Sequence, residues 1–357
     1  MTEAYINRVV TAVPPNEAHG VFLDFGRAML KGDNRRLTIF NRMAERSGID
    51  RRFSVLSPAD DGAGAAMDAD GVYRFGYFPG TATRMKLFEH HAPLLAARTV
   101  EKLLAGEERG RISHLIVTSC TGLSAPGIDL ELIARCGLNG DIERSFIGFM
   151  GCYAAINALK LARHIVRSQP EARVLTVNLE LCTLHLRETG QLEEMLSFLL
   201  WGDGCAAALV SADPHGVAME SFHAALVPKT GDLMRWHIRD QGFDMFLSGA
   251  VPSAIQSALA QARSDILRGR SVEEIALWAV HPGGRTVLDA VEHAFALKPG
   301  ELEASRSVLR DYGNMSSGTV MFVLERLMQG APAGAPGCAM AFGPGLVAET
   351  MQFRMAA

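Results

Sequence analysis

Cys152 lies in the run Gly148-Phe-Met-Gly-Cys152-Tyr-Ala-Ala-Ile-Asn-Ala-Leu, directly after a glycine and directly before a segment of helical character. This context places its sulfur at a helix N-terminus, where unpaired backbone N–H groups favour a thiolate. Cysteines at such positions reach pKa values of about 3.5–7.5, against about 8.5 for a free thiol. The chain offers two partners for this nucleophile: His281 in Trp278-Ala-Val-His281-Pro-Gly-Gly and Asn314 in Tyr312-Gly-Asn314-Met-Ser-Ser. A cysteine can be acylated by a thioester and pass the acyl group on. A histidine within reach can hold the thiolate as an ion pair or donate a hydrogen bond to a carbonyl oxygen, and an asparagine amide is a second neutral donor. Together these donors can hold a thioester oxygen while negative charge builds on it. Carbon–carbon bond formation from a malonyl thioester needs this, because decarboxylation leaves an enolate and no general base is required to start it.

Each residue also has a plainer reading. A single cysteine is most often a small buried hydrophobe, and Cys120, Cys136, Cys182, Cys205 and Cys338 are read that way. His281 could be a turn histidine before Pro-Gly-Gly, and Asn314 a helix N-cap. Gly283-Gly284 and Gly343-Pro-Gly345 are turn residues whose functional value would be close backbone approach to a thioester. It is the ordered set that favours chemistry.

The elements that must position this set alternate between buried apolar runs and amphipathic runs, the pattern of a layered α/β fold. Strands are predicted at 114–119, 145–149, 173–181, 204–211 and 274–280, with closing strands at 338–342 and 346–353. Helices are predicted at 128–136, 152–168, 192–200 and 250–269, then from Gly284 to 297, over 301–312, and from Asn314 to 329. His281 falls at the carboxyl end of its strand. No sequence repeat is visible, but the two halves have similar strand and helix order, and the division is placed at Asp213-Pro214, giving halves 1–213 and 214–357.

The chain has 357 residues, 48% of them hydrophobic and 21% charged, with a net charge of −4. That describes a globular protein with a sizeable core and gives no reason to expect nucleic acid or a stable membrane association. The six cysteines form no CxxC pair, which argues against a zinc site or a disulfide framework and fits a reducing cytoplasm. The N-terminus lacks the apolar region of a signal peptide, and no apolar run reaches the ~18 residues of a membrane span.

The chain resembles the type III polyketide synthases of the chalcone and stilbene synthase superfamily, from about Phe40 to Phe353. The matching segments are Phe40-Asn-Arg-Met, Ala125-Pro-Gly-Ile-Asp, Met150-Gly-Cys152, Trp201-Gly-Asp-Gly, His281-Pro-Gly-Gly, Tyr312-Gly-Asn314-Met-Ser-Ser and Phe342-Gly-Pro-Gly-Leu. The resemblance implies a thiolase-like five-layered αβαβα fold made of two similar halves, a homodimer, and acyl-CoA and malonyl-CoA as substrates. It implies no metal, nicotinamide or flavin cofactor. It implies Cys152 as nucleophile, with His281 and Asn314 activating it and promoting malonyl decarboxylation. Arg42 and Arg46 are implied near the coenzyme A phosphates, a role arginine suits chemically, with Gly283, Gly284 and Thr286 beside the same substrate. The family usually has Phe where this chain has Trp201. Its second gating Phe aligns with Met245, next to Phe246. A small cavity residue of the plant enzymes is replaced by Trp236, and a partner-reaching Met by Ala125. Trp236 could shrink the cavity, while Ala125 and Cys182 could open another channel. These departures point to a bacterial-type pocket and an aliphatic or fatty acyl starter, cyclised to an alkylpyrone, alkylresorcinol or phloroglucinol-type ring.

Three rivals are open at this level. An initiation-type ketoacyl synthase shares the fold and the Cys-His-Asn set, but performs one condensation from an acyl carrier protein and follows its His with Gln-Ala-Asn. A papain-like cysteine hydrolase also uses Cys, His and Asn, yet the chain has no Cys-Gly-Ser-Cys-Trp run. A non-catalytic scaffold would not need all three reactive residues.

Overall fold

The apolar runs before and after Asp203 are strands in which every residue is buried, as strands covered by helices on both faces must be. The computed structural model describes residues 2–59, 66–107 and 109–356, with Leu196 described by its backbone alone. The first half contains β1 (Tyr5–Ala12), β2 (Asn16–Glu17), α1 (His19–Met29), α2 (Asn34–Arg46), β3 (Phe53–Ser54), α3 (Thr81–Leu103), β4 (His114–Ser119), α4 (Ile128–Cys136), β5 (Glu143–Gly148), α5 (Ala154–Ser168), β6 (Val174–Leu181), α6 (Leu192–Leu200) and β7 (Asp203–Ser211). The second contains β8 (Val217–Leu226), β9 (Met234–Arg239), β10 (Gly242–Leu247), α7 (Val251–Leu267), β11 (Leu277–Val280), α8 (Arg285–Phe295), α9 (Glu303–Tyr312), α10 (Thr319–Met328), β12 (Pro336–Gly343) and β13 (Val347–Met355).

Nine strands form one sheet in the order β11-β12-β13-β8-β1-β7-β6-β4-β5. The arms β1-β7-β6-β4-β5 and β11-β12-β13-β8 join between β1 and β8, where Tyr5 faces Ala218 and Ile6 faces Val217. Helices α5 and α10 touch strands of both arms and fill the layer between them. The outer layer on the first arm is built on α3, and on the second arm α7 and α8 pack together. Three apolar cores correspond to these interfaces. One lies under α1 and α3, one around α5 and α10, and one under α7 and α8. This is the thiolase-like αβαβα arrangement, in which each sheet face is hidden by a helix layer. Among the described residues no helix is long and apolar enough to cross a membrane.

Two local differences from the sequence expectations bear on chemistry. Cys152 does not start a regular helix; Gly151–Tyr153 form a 3-10 turn that leads into α5. Asn314 does not open a helix either. It forms a parallel bridge with Trp201, and a 3-10 turn over Ser316–Gly318 separates it from α10.

Candidate active site

The chain reverses sharply after β5. Phe149 has φ 57° and Gly151 has φ 76°, the left-handed region that glycine occupies without strain. A Cβ on Gly151 would lie 2.1 Å from Pro344 Cδ, so this close approach also requires glycine. Gly151 N donates to Cys120 Sγ at 3.0 Å, which pins the turn to the loop after β4. Cys152 follows, buried, with its Sγ 3.8 Å from Ser316 Oγ. Gly343 lies against the same backbone: a Cβ there would stand 3.2 Å from Cys152 N.

His281 follows β11 and is held by its own N–H, which donates to Met340 O at 2.8 Å. The ring is buried, and neither ring nitrogen has a hydrogen-bond partner among the described residues. Asn314 is oriented from both ends: Oδ1 accepts from Ser316 N at 2.8 Å and Nδ2 donates to Gly283 O at 3.2 Å. One Nδ2 hydrogen is therefore left for a ligand. The backbone fixes Asn314 to the end of α6, because Asn314 N donates to Leu200 O at 2.8 Å and Gly202 N to Asn314 O at 3.1 Å. Cys152, His281 and Asn314 all line one chamber of about 30 Å³, with Trp201, Met234 and Met245 among its walls.

The electrostatics differ from the sequence expectation. Burial pushes the Cys152 thiol up to about 12 and pulls the His281 imidazole down to about 3. Loss of water around a lone thiolate is the largest cause, and the Ser316 hydroxyl offsets it only in part.

A second chamber, about 20 Å³, is lined by Cys120, Thr121, Cys182, Trp236, Ser316 and Pro344, and it shares Cys152, Trp201, Met234 and Met245 with the first. A groove of about 580 Å³ opens on the other side. It brings together Arg42, Arg46, Gly283, Gly284 and Thr286, and it shares Leu200, Leu247, Gly283 and Val287 with the chamber at Cys152. Trp236 is fixed by its Nε1–H, which donates to Cys120 O at 2.8 Å.

Of the expected pocket residues, Phe246 and Ala125 line neither chamber of their own chain. Met245 and Phe246 are consecutive on β10, so they face opposite sides of the hairpin. Met245 pairs with Trp236 and lines both chambers, whereas Phe246 is exposed beneath the Arg235 guanidinium, 5.0 Å from its ring centre. Ala125 is exposed on the loop before α4 and lines neither chamber.

Two residues of the site were not anticipated. Arg285, at the start of α8, lines the groove beside Arg42 and Arg46; its signal was a cation directly after Gly283-Gly284. Glu180 is buried at the end of β6. Its Oε1 accepts from Ser317 Oγ at 2.6 Å, and its Oε2 accepts from Cys120 N and Thr121 Oγ1, both at 2.9 Å. Burial pushes this carboxyl up to about 7 despite the three donors. A lone charge inside an apolar strand was its signal. Among the described residues no group of three or more His, Cys, Asp or Glu could hold a metal ion.

Comparison with known proteins accords with this geometry. Residues 29–214 match the N-terminal domain, and residues 218–356 the C-terminal domain, of chalcone and stilbene synthases. The chain is 33% identical over 327 residues to the alpha-pyrone synthesis polyketide synthase-like Pks18 of Mycobacterium tuberculosis, covering 87% of this chain and 81% of that protein. It is 32% identical over 380 residues to bisdemethoxycurcumin synthase of Oryza sativa subsp. japonica, covering 98% and 91%. Among solved structures it superposes on 1,3,6,8-tetrahydroxynaphthalene synthase from Streptomyces coelicolor A3(2) with a TM-score of 0.88, at 28% identity and full coverage of both chains. The chain belongs to the chalcone and stilbene synthase family, and it is a type III polyketide synthase, a condensing enzyme of the acyltransferase kind.

Proposed function

We propose that this enzyme extends an aliphatic acyl-CoA starter with malonyl-CoA by repeated decarboxylative Claisen condensation on Cys152. The observation that carries the reading is the convergence of Cys152, His281 and Asn314 on one chamber at the inner end of a groove lined by Arg42, Arg46 and Arg285. Cys152 Sγ attacks the starter carbonyl while its proton passes to His281, and coenzyme A leaves with a proton. Malonyl-CoA then enters through the groove and loses carbon dioxide. The enolate oxygen is held by a ring N–H of His281 and the free Nδ2 hydrogen of Asn314. The enolate carbon attacks the Cys152 thioester, the sulfur leaves, and the lengthened chain returns from coenzyme A to Cys152. After two or three rounds the chain cyclises to an alkylpyrone, alkylresorcinol or phloroglucinol-type product. The relative named for alpha-pyrone synthesis makes a pyrone the first product to seek.

The two chambers, about 30 and 20 Å³, are each close to the ~30 Å³ share of one water molecule. Short aliphatic starters therefore ask for the least rearrangement of the walls, and a fatty chain requires Trp201 or Met245 to turn aside. The reaction as written uses no metal, nicotinamide or flavin. A homodimer in a reducing cytoplasm completes the proposal. The edge strand β5 has a free side, and Leu123, Leu130, Phe146 and Met150 are exposed around it.

The test is product analysis by mass spectrometry with malonyl-CoA and short-chain, long-chain and aromatic acyl-CoA starters, beside a Cys152→Ala control. Cys152-dependent triketide or tetraketide rings are expected. A single condensation, or none without a carrier protein, would replace this reading with an initiation-type ketoacyl synthase activity.

A further inference from the structure

Arg52 is buried immediately before β3, and its polar partners are neutral. Its Nη2 donates to Phe198 O at 2.7 Å, its Nη1 to Trp201 O at 3.1 Å and its Nε to His19 Nδ1 at 2.9 Å. The guanidinium lies 5.1 Å from the centre of the Phe22 ring. Among the described residues the one carboxylate that hydrogen-bonds this residue, Glu17, accepts from its backbone N at 3.5 Å and not from the guanidinium. Burial pulls the group down to about 9, which leaves it charged at neutral pH. Taking a cation out of water without a carboxylate costs several kcal/mol, so its contacts must offset a real penalty.

Those contacts lie at one place. Phe198 and Trp201 are at the C-terminal end of α6, where unpaired carbonyls and the helix dipole favour a cation. Trp201 walls both chambers, and the backbone on either side of it carries Asn314 through two hydrogen bonds. The side chain is also wedged against that junction. A Cβ on Gly313 would lie 2.7 Å from Arg52 Cγ, and one on Gly202 would lie 3.7 Å from Arg52 Cβ. These are the glycines that flank Asn314 and Trp201.

We propose that Arg52 is a positioning residue: its forked donors lock the end of α6 and thereby set Trp201 and Asn314 in place for the malonyl step. This rests on the condensation reading above. Lysine keeps the charge but not the planar fork, and Arg52→Lys is the main variant, with Arg52→Met beside it. Two readouts are taken. The first is hydrogen exchange of the backbone over residues 199–203 and 312–316, which needs no substrate. The second is the ratio of malonyl-CoA decarboxylation to starter acylation of Cys152, followed by intact mass. Exchange is expected to quicken in those two segments and not elsewhere. Decarboxylation is expected to fall by up to about 100-fold, the scale of a small misplacement at a reacting centre, while acylation changes much less. Unchanged exchange in both segments would overturn the proposal. So would a fall in both reactions in equal proportion, or failure of both variants to fold, since either assigns Arg52 to stability alone. If wild-type protein does not decarboxylate malonyl-CoA, the condensation reading fails, and the exchange result still decides whether Arg52 holds this junction.

Discussion

Replacing Glu180 by glutamine should make the protein more stable at alkaline pH and leave it nearly unchanged in acid. The carboxyl is buried and pushed up to about 7 from 4.5 by loss of water. A group whose folded pKa is raised binds its proton more firmly in the native state. Between pH 4.5 and 7 the native chain therefore holds more protons than the unfolded one, and stability falls as pH rises through that window. The full effect is about 2.5 pH units at ~1.4 kcal/mol each, or ~3 kcal/mol. Glutamine stands in for the protonated acid. Its carbonyl can take the place of Oε2 and accept from Cys120 N and Thr121 Oγ1, while its amide faces Ser317, whose hydroxyl can turn to accept and whose backbone N–H gives up a contact with the carboxylate at both pH values alike. Asp203, raised to about 6, is present in both proteins and cancels in the difference. Urea unfolding at pH 5 and pH 8 measures it. Glu180→Gln is expected to gain ~3 kcal/mol over wild type at pH 8 and under ~1 kcal/mol at pH 5. An equal gain at both values, or a loss at pH 8, would refute the argument from burial.

Two further outcomes follow from the same geometry. Gly151→Ala combines a left-handed backbone with a Cβ 2.1 Å from Pro344 Cδ; it should cost at least ~1–3 kcal/mol and abolish condensation, read as a lower melting temperature and loss of product. Arg42 and Arg46 line the groove and neither chamber. Arg42→Ala and Arg46→Ala should raise KM for CoA thioesters with little change in kcat, and should not affect N-acetylcysteamine thioesters, which carry no phosphate; a fall in kcat for both substrates would remove the two arginines from phosphate binding.

The strands around the site were legible because burial on both faces leaves largely apolar runs without alternation, as in β6 and β7. The first third of the chain was not. Its 23-residue α3 contains Pro93, which reads as a break, and its surroundings decide the outcome. The gating residues show the same limit more finely. Alignment points to Met245 with Phe246 next to it, and the hairpin, where Met245 pairs with Trp236, gives the physical reason that Met245 lines the chambers and Phe246 does not. Arg52 illustrates a third limit. Its partners Phe198 and Trp201 are distant in sequence, and nothing in Asp50-Arg51-Arg52-Phe53 separates the buried arginine from its exposed neighbour.

The nucleophile itself shows which terms sequence context can rank. Cys152 sits in the 3-10 turn that leads into α5, not at the regular helix start expected of it, and even a full helix dipole is worth at most ~2 kcal/mol in partly buried settings. Burial acts against it and lifts the lone thiol to about 12, roughly three units above an ordinary thiol, or ~4 kcal/mol. The dipole cannot win alone. The imidazole of His281 is penalised in the same way when it is charged alone. Moving the thiol proton to His281 creates both charges at once; from about 12 and about 3 that transfer costs ~12 kcal/mol, of which the attraction of the two charges brought into contact returns ~4 kcal/mol at an effective dielectric of 20, about twice what a helix end offers. Any thiolate at neutral pH is thus a property of the pair, not of the helix. His281→Gln keeps a neutral polar side chain and removes the proton acceptor. Alkylation of Cys152 by iodoacetamide at pH 7 should collapse in this variant and recover only as the pH rises well above 9. An alkylation profile unchanged by His281→Gln would show that the helix N-terminus activates the sulfur without the histidine.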